Sequence, residues 1–137
     1  MADDDEEDRL LTKEAFKEAR LNNELRFVED GQELLDYLNH HGNYSNINAN
    51  PLPDLILLDL NMPRMDGREA LKEIKADPDL RHIPVVLLTT SKEEEDIIRS
   101  YNDGGNSFIV KPVSFSALIE VVIAINKYWF EIVKLPR

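Results

Sequence analysis

The sequence predicts an α/β fold with a doubly wound parallel sheet, and three observations predict it. Segments with the three-and-four spacing of amphipathic helices take turns with short apolar runs, the alternation of a sheet with helices on both faces. The apolar runs are continuous, as in strands covered on both sides. Pro, Gly, Asn and Asp mark each change of period. At 137 residues the chain has the length of one domain, since domains commonly run to roughly 100–150 residues.

Glu6 to Arg20 places Leu11, Ala15, Phe16 and Ala19 on one face with charges opposite, a first amphipathic helix. Leu25 to Glu29 reads as a short strand stopped at the turn dipeptide Asp30-Gly31. Gln32 to His40 is helical, with Leu34, Leu35 and Leu38 clustered. His41 to Pro53 is rich in Gly, Asn and Pro, lacks periodicity and reads as a loop. Leu55-Ile56-Leu57-Leu58 is a strand that ends in Asp59, and Asp66-Gly67 opens a helix with Ala70, Leu71 and Ile74 inward, closed by Asp77-Pro78. Ile83 to Leu88 is a second apolar strand, ending in Thr89-Thr90-Ser91. Lys92 to Asn102 reads as a helix stopped by Gly104-Gly105, and Phe108-Ile109-Val110 as a strand ending in Lys111-Pro112. Ser114 is placed to cap a last helix through Leu118, Val121, Val122, Ile125 and Tyr128.

Sixteen basic against 27 acidic residues give a formal net charge of −11, which repels nucleic acid and anionic membrane surfaces. No run approaches the roughly 18 apolar residues of a membrane span. The acidic start Met1-Ala2-Asp3-Asp4-Asp5 is the reverse of a signal peptide, so a cytoplasmic location is expected. The absence of cysteine excludes thiolate catalysis, iron–sulfur clusters and cysteine-ligated zinc.

In such sheets functional side chains gather beyond the carboxyl ends of the strands, and three expected strands end in Asp59, Thr89 and Lys111. Together with the acidic run Asp3 to Asp8 they form a crevice of carboxylates without a soft ligand, a hard-cation site for which Mg²⁺ is the default. A carboxylate whose charge is offset in this way can attack phosphorus and carry an acyl phosphate. Lys111 would neutralise one phosphoryl oxygen and Thr89 would donate a hydrogen bond to another. Within the acidic run, Asp3 and Asp4 are assigned to the crevice, and Asp5 to Asp8 to the dipole of the first helix.

Taken together, Asp3-Asp4, Leu57-Leu58-Asp59-Leu60-Asn61-Met62-Pro63 with Met65-Asp66-Gly67, Leu88-Thr89-Thr90 and Val110-Lys111-Pro112 resemble the receiver domain of two-component response regulators. Thr89 lies 30 residues after Asp59, and Lys111 a further 22 along, intervals that suit that family. The resemblance covers nearly the whole chain and implies one receiver domain over 1–137, with a flavodoxin-like five-stranded sheet in the order 2-1-3-4-5. It implies that Asp59 accepts a phosphoryl group from the histidine of a sensor kinase. Asp3, Asp4, Asp59 and the backbone carbonyl of Asn61 would then hold Mg²⁺, with Thr89 and Phe108 as a switch pair that remodels the face made by the last two helices. Such a protein is a phosphoacceptor that signals through a changed binding surface, and not an enzyme beyond slow self-dephosphorylation.

Three features depart from the family pattern. Only Met1-Ala2 precede Asp3, so the first strand is expected to be largely absent, whether through a misplaced start, a trimmed chain or a tag. Thr90 stands where the family prefers a very small residue, and Asp4 and Asp59 are 55 residues apart because of the loop around His41 to Pro53. That loop, Thr89-Thr90-Ser91 and the ending Tyr128 to Pro136 are similar to the single-domain regulators that partner phytochrome-type histidine kinases. The similarity implies such a kinase as partner, and a homodimer through the last helix and the apolar extension 127–137, with Trp129, Phe130, Ile132, Val133 and Leu135 at the interface. Two other readings compete. An aspartyl-phosphate phosphatase or phosphotransferase wants a second Asp two residues after Asp59, where Asn61 stands. A degenerate receiver serving as a dimeric scaffold is disfavoured by the intact Asp59, Thr89 and Lys111.

Overall fold

The computed structural model describes residues 1–89, 107–112 and 114–128. Four helices and three strands follow one another along these residues: α1 (Glu6–Glu18), α2 (Gly31–Leu38), β1 (Ile56–Asp59), α3 (Gly67–Ala76), β2 (Val85–Thr89), β3 (Ser107–Val110) and α4 (Phe115–Asn126). The strands pair in parallel in the order β1-β2-β3, with Leu57 opposite Val86 and Leu87 opposite Phe108. The expected helix over 92–102 and its stop at Gly104-Gly105 lie outside the described residues, as do Thr90 and Ser91.

The first strand, expected to be largely absent, is present as a three-residue remnant. The Ala2 N–H donates to the Leu57 carbonyl at 2.8 Å and its carbonyl accepts from Asp59 N–H at 2.9 Å. On the other side Asp3 N–H donates to Val28 O, and Val28 N–H to Met1 O, each at 3.0 Å. Ala2 is therefore bridged in parallel to both Val28 and Leu58, and it is fully buried. Two ladders of backbone bonds hold so short a segment because its alternative is an unsatisfied edge on β1. The expected strand over Leu25 to Glu29 reduces to the single bridge at Val28. Read through the two bridges, the spatial order is the Val28 segment, the Ala2 segment, β1, β2 and β3, which follows 2-1-3-4-5.

Strand alternation sorts the core into two faces. Ile56, Leu58, Val85 and Leu87 pack toward α2 and α3 with Leu34, Leu38, Ala70 and Ile74. Leu57, Val86 and Leu88 pack toward α4 through Ile125, and α4 in turn lies on α1, where Ala15, Phe16 and Val122 meet. All four helices start on a side-chain cap, the acceptors being Asp5, Asp30, Asp66 and Ser114. Two expected inward residues turn out exposed. Leu11 is 36% accessible, its place taken by the buried Thr12, whose hydroxyl donates to the Asp8 carbonyl at 2.8 Å. Tyr128, just past α4, is 51% accessible. The loop 41–55 contains a short 3-10 turn, Gly42–Tyr44, and is tied down by Tyr37 Oη donating to Pro51 O at 2.7 Å and Arg26 Nη1 donating to Ala49 O at 2.6 Å.

Candidate phosphoacceptor and metal site

β1 ends on Asp59, which by alternation shares the face of Leu57 and so points under α1 and α4. The Ala2 bridge sets Asp3 beside it, directly before the turn into α1, and β3 delivers Lys111 one residue past its end. Gly67 makes this convergence possible. A Cβ there would fall on the Asp59 carbonyl oxygen and within 2.8 Å of Leu60 Cα, so only glycine lets α3 start this close to the end of β1.

Lys111 Nζ lies 3.0 Å from Asp8 Oδ2, 3.2 Å from Asp3 Oδ2 and 3.3 Å from Asp59 Oδ1. The first two contacts are hydrogen bonds. The third is an ion pair without hydrogen-bond alignment, and Asp59 Oδ1 is a buried oxygen with no hydrogen-bond donor. Asp59 is 2% and Asp3 0% accessible. Burial raises the Asp59 carboxyl to about 6 from an ordinary 3.8; Lys111 pulls it back, Asp3 pushes it up further, and the Asn61 N–H pulls it down. Asp3 is raised too, by burial, against the Asp5 N–H and Lys111. Burial works against the Lys111 ammonium, but the Asp8 hydrogen bond and the charges of Asp3 and Asp59 outweigh it and lift its pKa above the usual lysine range.

Carboxylate oxygens of Asp3, Asp4 and Asp59 lie within 4.8 Å of one another, Asp4 on the exposed side. Three carboxylates, Asp3, Asp8 and Asp59, contact one ammonium, Asp4 adds a fourth beside Asp3 and Asp59, and one inward oxygen lacks an aligned hydrogen-bond donor. This excess of hard oxygen donors and negative charge fits a divalent cation of the oxygen-ligated kind.

The structure thus brings together Asp3, Asp4, Asp59 and Lys111 from the sequence-derived set, with Asn61 two residues beyond Asp59. Thr89 and Phe108 are placed by their backbones at the end of β2 and in β3, but their side chains lie outside the described residues. Trp129, Phe130, Ile132, Val133 and Leu135 also lie outside them. Sequence reasoning missed Asp8, which it gave to the helix dipole alone. Asp8 is in the first turn of α1 as expected, yet its carboxylate makes the shortest contact to Lys111. No local signal could have found this role, because the partner that defines it lies 103 positions along the chain.

Comparison with known proteins agrees with this geometry. Residues 1–123 match the response regulator receiver domain family. The response regulator Rcp1 of Synechocystis sp. is 42% identical over 136 residues, 99% of this chain and 90% of that protein. Among solved structures, the phosphorylated cyanobacterial phytochrome response regulator RcpA superposes with a TM-score of 0.86 at 42% identity, covering 99% of this chain and 95% of that one. The Mn²⁺-bound form of Rcp1 gives 0.84 at 41% identity over 99% and 96%. The response regulator RPA3017, in red light signaling of R. palustris, gives 0.90 at 34% identity over 99% and 95%. The crevice of carboxylates and lysine beyond a parallel sheet and this agreement over nearly the whole length lead to one conclusion: the chain belongs to the response regulator receiver domain family, the receivers of two-component signal transduction.

Proposed function

We propose that Asp59 is the phosphoacceptor of this receiver. A sensor kinase phosphohistidine would lose its P–N bond as an Asp59 carboxylate oxygen forms the new P–O bond, with Lys111 and Thr89 receiving the phosphoryl oxygens. The single observation that carries this is the buried Asp59 Oδ1, which faces Lys111 at 3.3 Å without a hydrogen-bond donor. Its one close partner is the Lys111 ammonium, an ion pair without hydrogen-bond alignment, so no aligned hydrogen bond has to be broken before a lone pair attacks phosphorus.

Asp3, Asp4, Asp59 and the Asn61 carbonyl are the residues to hold Mg²⁺. When bound, the cation offsets the charge of the carboxylates and of the incoming phosphoryl group. Without it, Asp3 and Asp59 repel each other and the anionic donor, and Lys111 must balance three carboxylates with Asp4 close beside them. The test is a Mg²⁺ and beryllium fluoride titration, which wild type should saturate and Asp59→Asn should not. Equal binding by the variant would remove Asp59 from the mechanism.

The output is a changed surface of this one domain over 1–137, and not turnover of a substrate. Thr89 and Phe108 serve as the switch pair, linking the phosphoryl site to α4. The similarity to RcpA and Rcp1 supports a phytochrome-type histidine kinase as the phosphoryl donor, and the cytoplasm as the place where the two would meet; no helix among the described residues is long and apolar enough to cross a membrane. Nucleic acid is not a partner, given the net charge of −11. The extension 127–137 makes a homodimer through Trp129, Phe130, Ile132, Val133 and Leu135. The exposed Phe115 and Ile123 on α4 and Tyr128 within the extension support that interface. Sedimentation should show a dimer that weakens on Trp129→Ala, and a monomeric wild type would contradict it.

A further inference from the structure

Lys111 is held by three carboxylates that differ in what it costs to release them. Asp3 is fully buried, so stripping the ammonium from it would leave a buried charge without a cation. Asp59 is also buried, and its contact lacks hydrogen-bond alignment. Asp8 has the shortest contact, 3.0 Å, and a side chain 37% accessible, so water can replace the ammonium there at little cost. An ammonium has three N–H donors, and two are spent on Asp3 and Asp8. The third is not aligned on Asp59, and a phosphoryl group there adds several charged oxygens that call for more than one donor, so a carboxylate must give one up.

We propose that Asp8 is a positioning residue that holds the Lys111 ammonium toward α1 while Asp59 is unmodified and yields it when a phosphoryl group forms on Asp59. This rests on the reading of Asp59 as phosphoacceptor. Asp8 then acts as a built-in competitor: it keeps the ammonium, 3.3 Å from Asp59 Oδ1, from aligning a donor on that oxygen, and it sets how readily the phosphorylated state is occupied. Asp3 is the fixed anchor and Asp8 the exchangeable one. The position of Asp8 is itself secured, because α1 is capped by Asp5, whose carboxylate accepts from Glu7 N–H at 2.8 Å and Asp8 N–H at 3.3 Å.

The experiment titrates wild type, Asp8→Asn, Asp8→Glu and Glu7→Gln with Mg²⁺ alone and with beryllium fluoride at saturating Mg²⁺. Glu7→Gln removes the same charge from the same helical turn, one residue from the lysine ligand, and so measures the general electrostatic effect. Asp8→Asn should bind beryllium fluoride about three- to tenfold more tightly than wild type, well beyond Glu7→Gln, with Mg²⁺ affinity changed no more than in Glu7→Gln. Asp8→Glu, which keeps the charge, should fall back toward wild type. Beryllium fluoride affinity in Asp8→Asn that is unchanged, weaker, or raised only as in Glu7→Gln overturns the proposal. A parallel fall in Mg²⁺ and beryllium fluoride affinity overturns it too, by making Asp8 part of the cation's ligand set. Wild type that fails to bind the mimic at all counts against Asp59 as phosphoacceptor, a result distinct from wild type and Asp8→Asn binding it equally.

Discussion

Replacing Asp59 by Asn should stabilise the fold at neutral pH, although it deletes the residue on which the proposed function turns. The carboxyl is raised by burial from 3.8 to about 6. The folded chain therefore binds more protons than the unfolded chain between about pH 4 and pH 6, and stability falls as pH rises through that interval. Below it both states are protonated and there is no penalty; above pH 6 the penalty is complete. Two pKa units correspond to roughly 3 kcal/mol at 1.36 kcal/mol each, a ceiling because Asp59 and Asp3 share Lys111 and titrate together. Asn has nearly the same shape and no charge to desolvate. Urea unfolding in the presence of a chelator should show Asp59→Asn ahead of wild type by about 2–3 kcal/mol at pH 7, with equal m-values and a gain that shrinks toward zero near pH 4. A variant less stable than wild type at pH 7, or a gain that persists unchanged at pH 4, would refute this account of the buried charge.

Other outcomes follow from the same geometry. Saturating Mg²⁺ at about 100 times its Kd should stabilise wild type by about 2.7 kcal/mol and Asp59→Asn far less, read as a shift in thermal midpoint; equal shifts would place the cation elsewhere. Lys111→Met leaves Asp3, Asp8 and Asp59 without a cation. It should cost roughly 3 kcal/mol at pH 7 and less at pH 5, below the value of about 6 to which burial raises Asp59, where that carboxyl takes up a proton; a pH-independent loss in urea unfolding would point to packing alone. Gly67→Ala drives a Cβ onto the backbone of Asp59 and Leu60. It should cost roughly 1–3 kcal/mol and weaken beryllium fluoride binding, whereas a neutral variant would show that α3 can step back from β1 freely.

The parts of the fold legible in the sequence are those where local chemistry dominates. The unbroken apolar runs Leu55 to Leu58 and Ile83 to Leu88 became β1 and β2, because a strand covered on both faces has no polar face to display. Asp66 and Ser114 announced helix starts for the same local reason. The first strand is largely absent, as the short stretch before Asp3 implies, but the hold on its remnant is not legible, because Met1 to Asp3 are kept in the sheet by backbone bonding to Val28 and β1, which leaves no trace in side-chain pattern. Leu11 and Thr12 exchanged roles because an apolar stripe fixes a face only to within about one residue, and the α1–α4 contact decided the rest. In the site, Asp59 and Lys111 were legible as strand ends. Asp8 was not, since its second role depends on a side chain 103 positions away.

The central claim is that the acyl phosphate forms on Asp59. Wild type should be incubated with Mg²⁺ and acetyl phosphate, then reduced with borohydride, which converts an aspartyl phosphate to homoserine, and the digested peptides weighed. The account predicts homoserine at position 59 in wild type, abolished when Mg²⁺ is chelated, and no modified aspartate in Asp59→Asn. Homoserine at Asp3, Asp4 or Asp8 instead, or an unmodified Asp59 under conditions where beryllium fluoride binds, would contradict it.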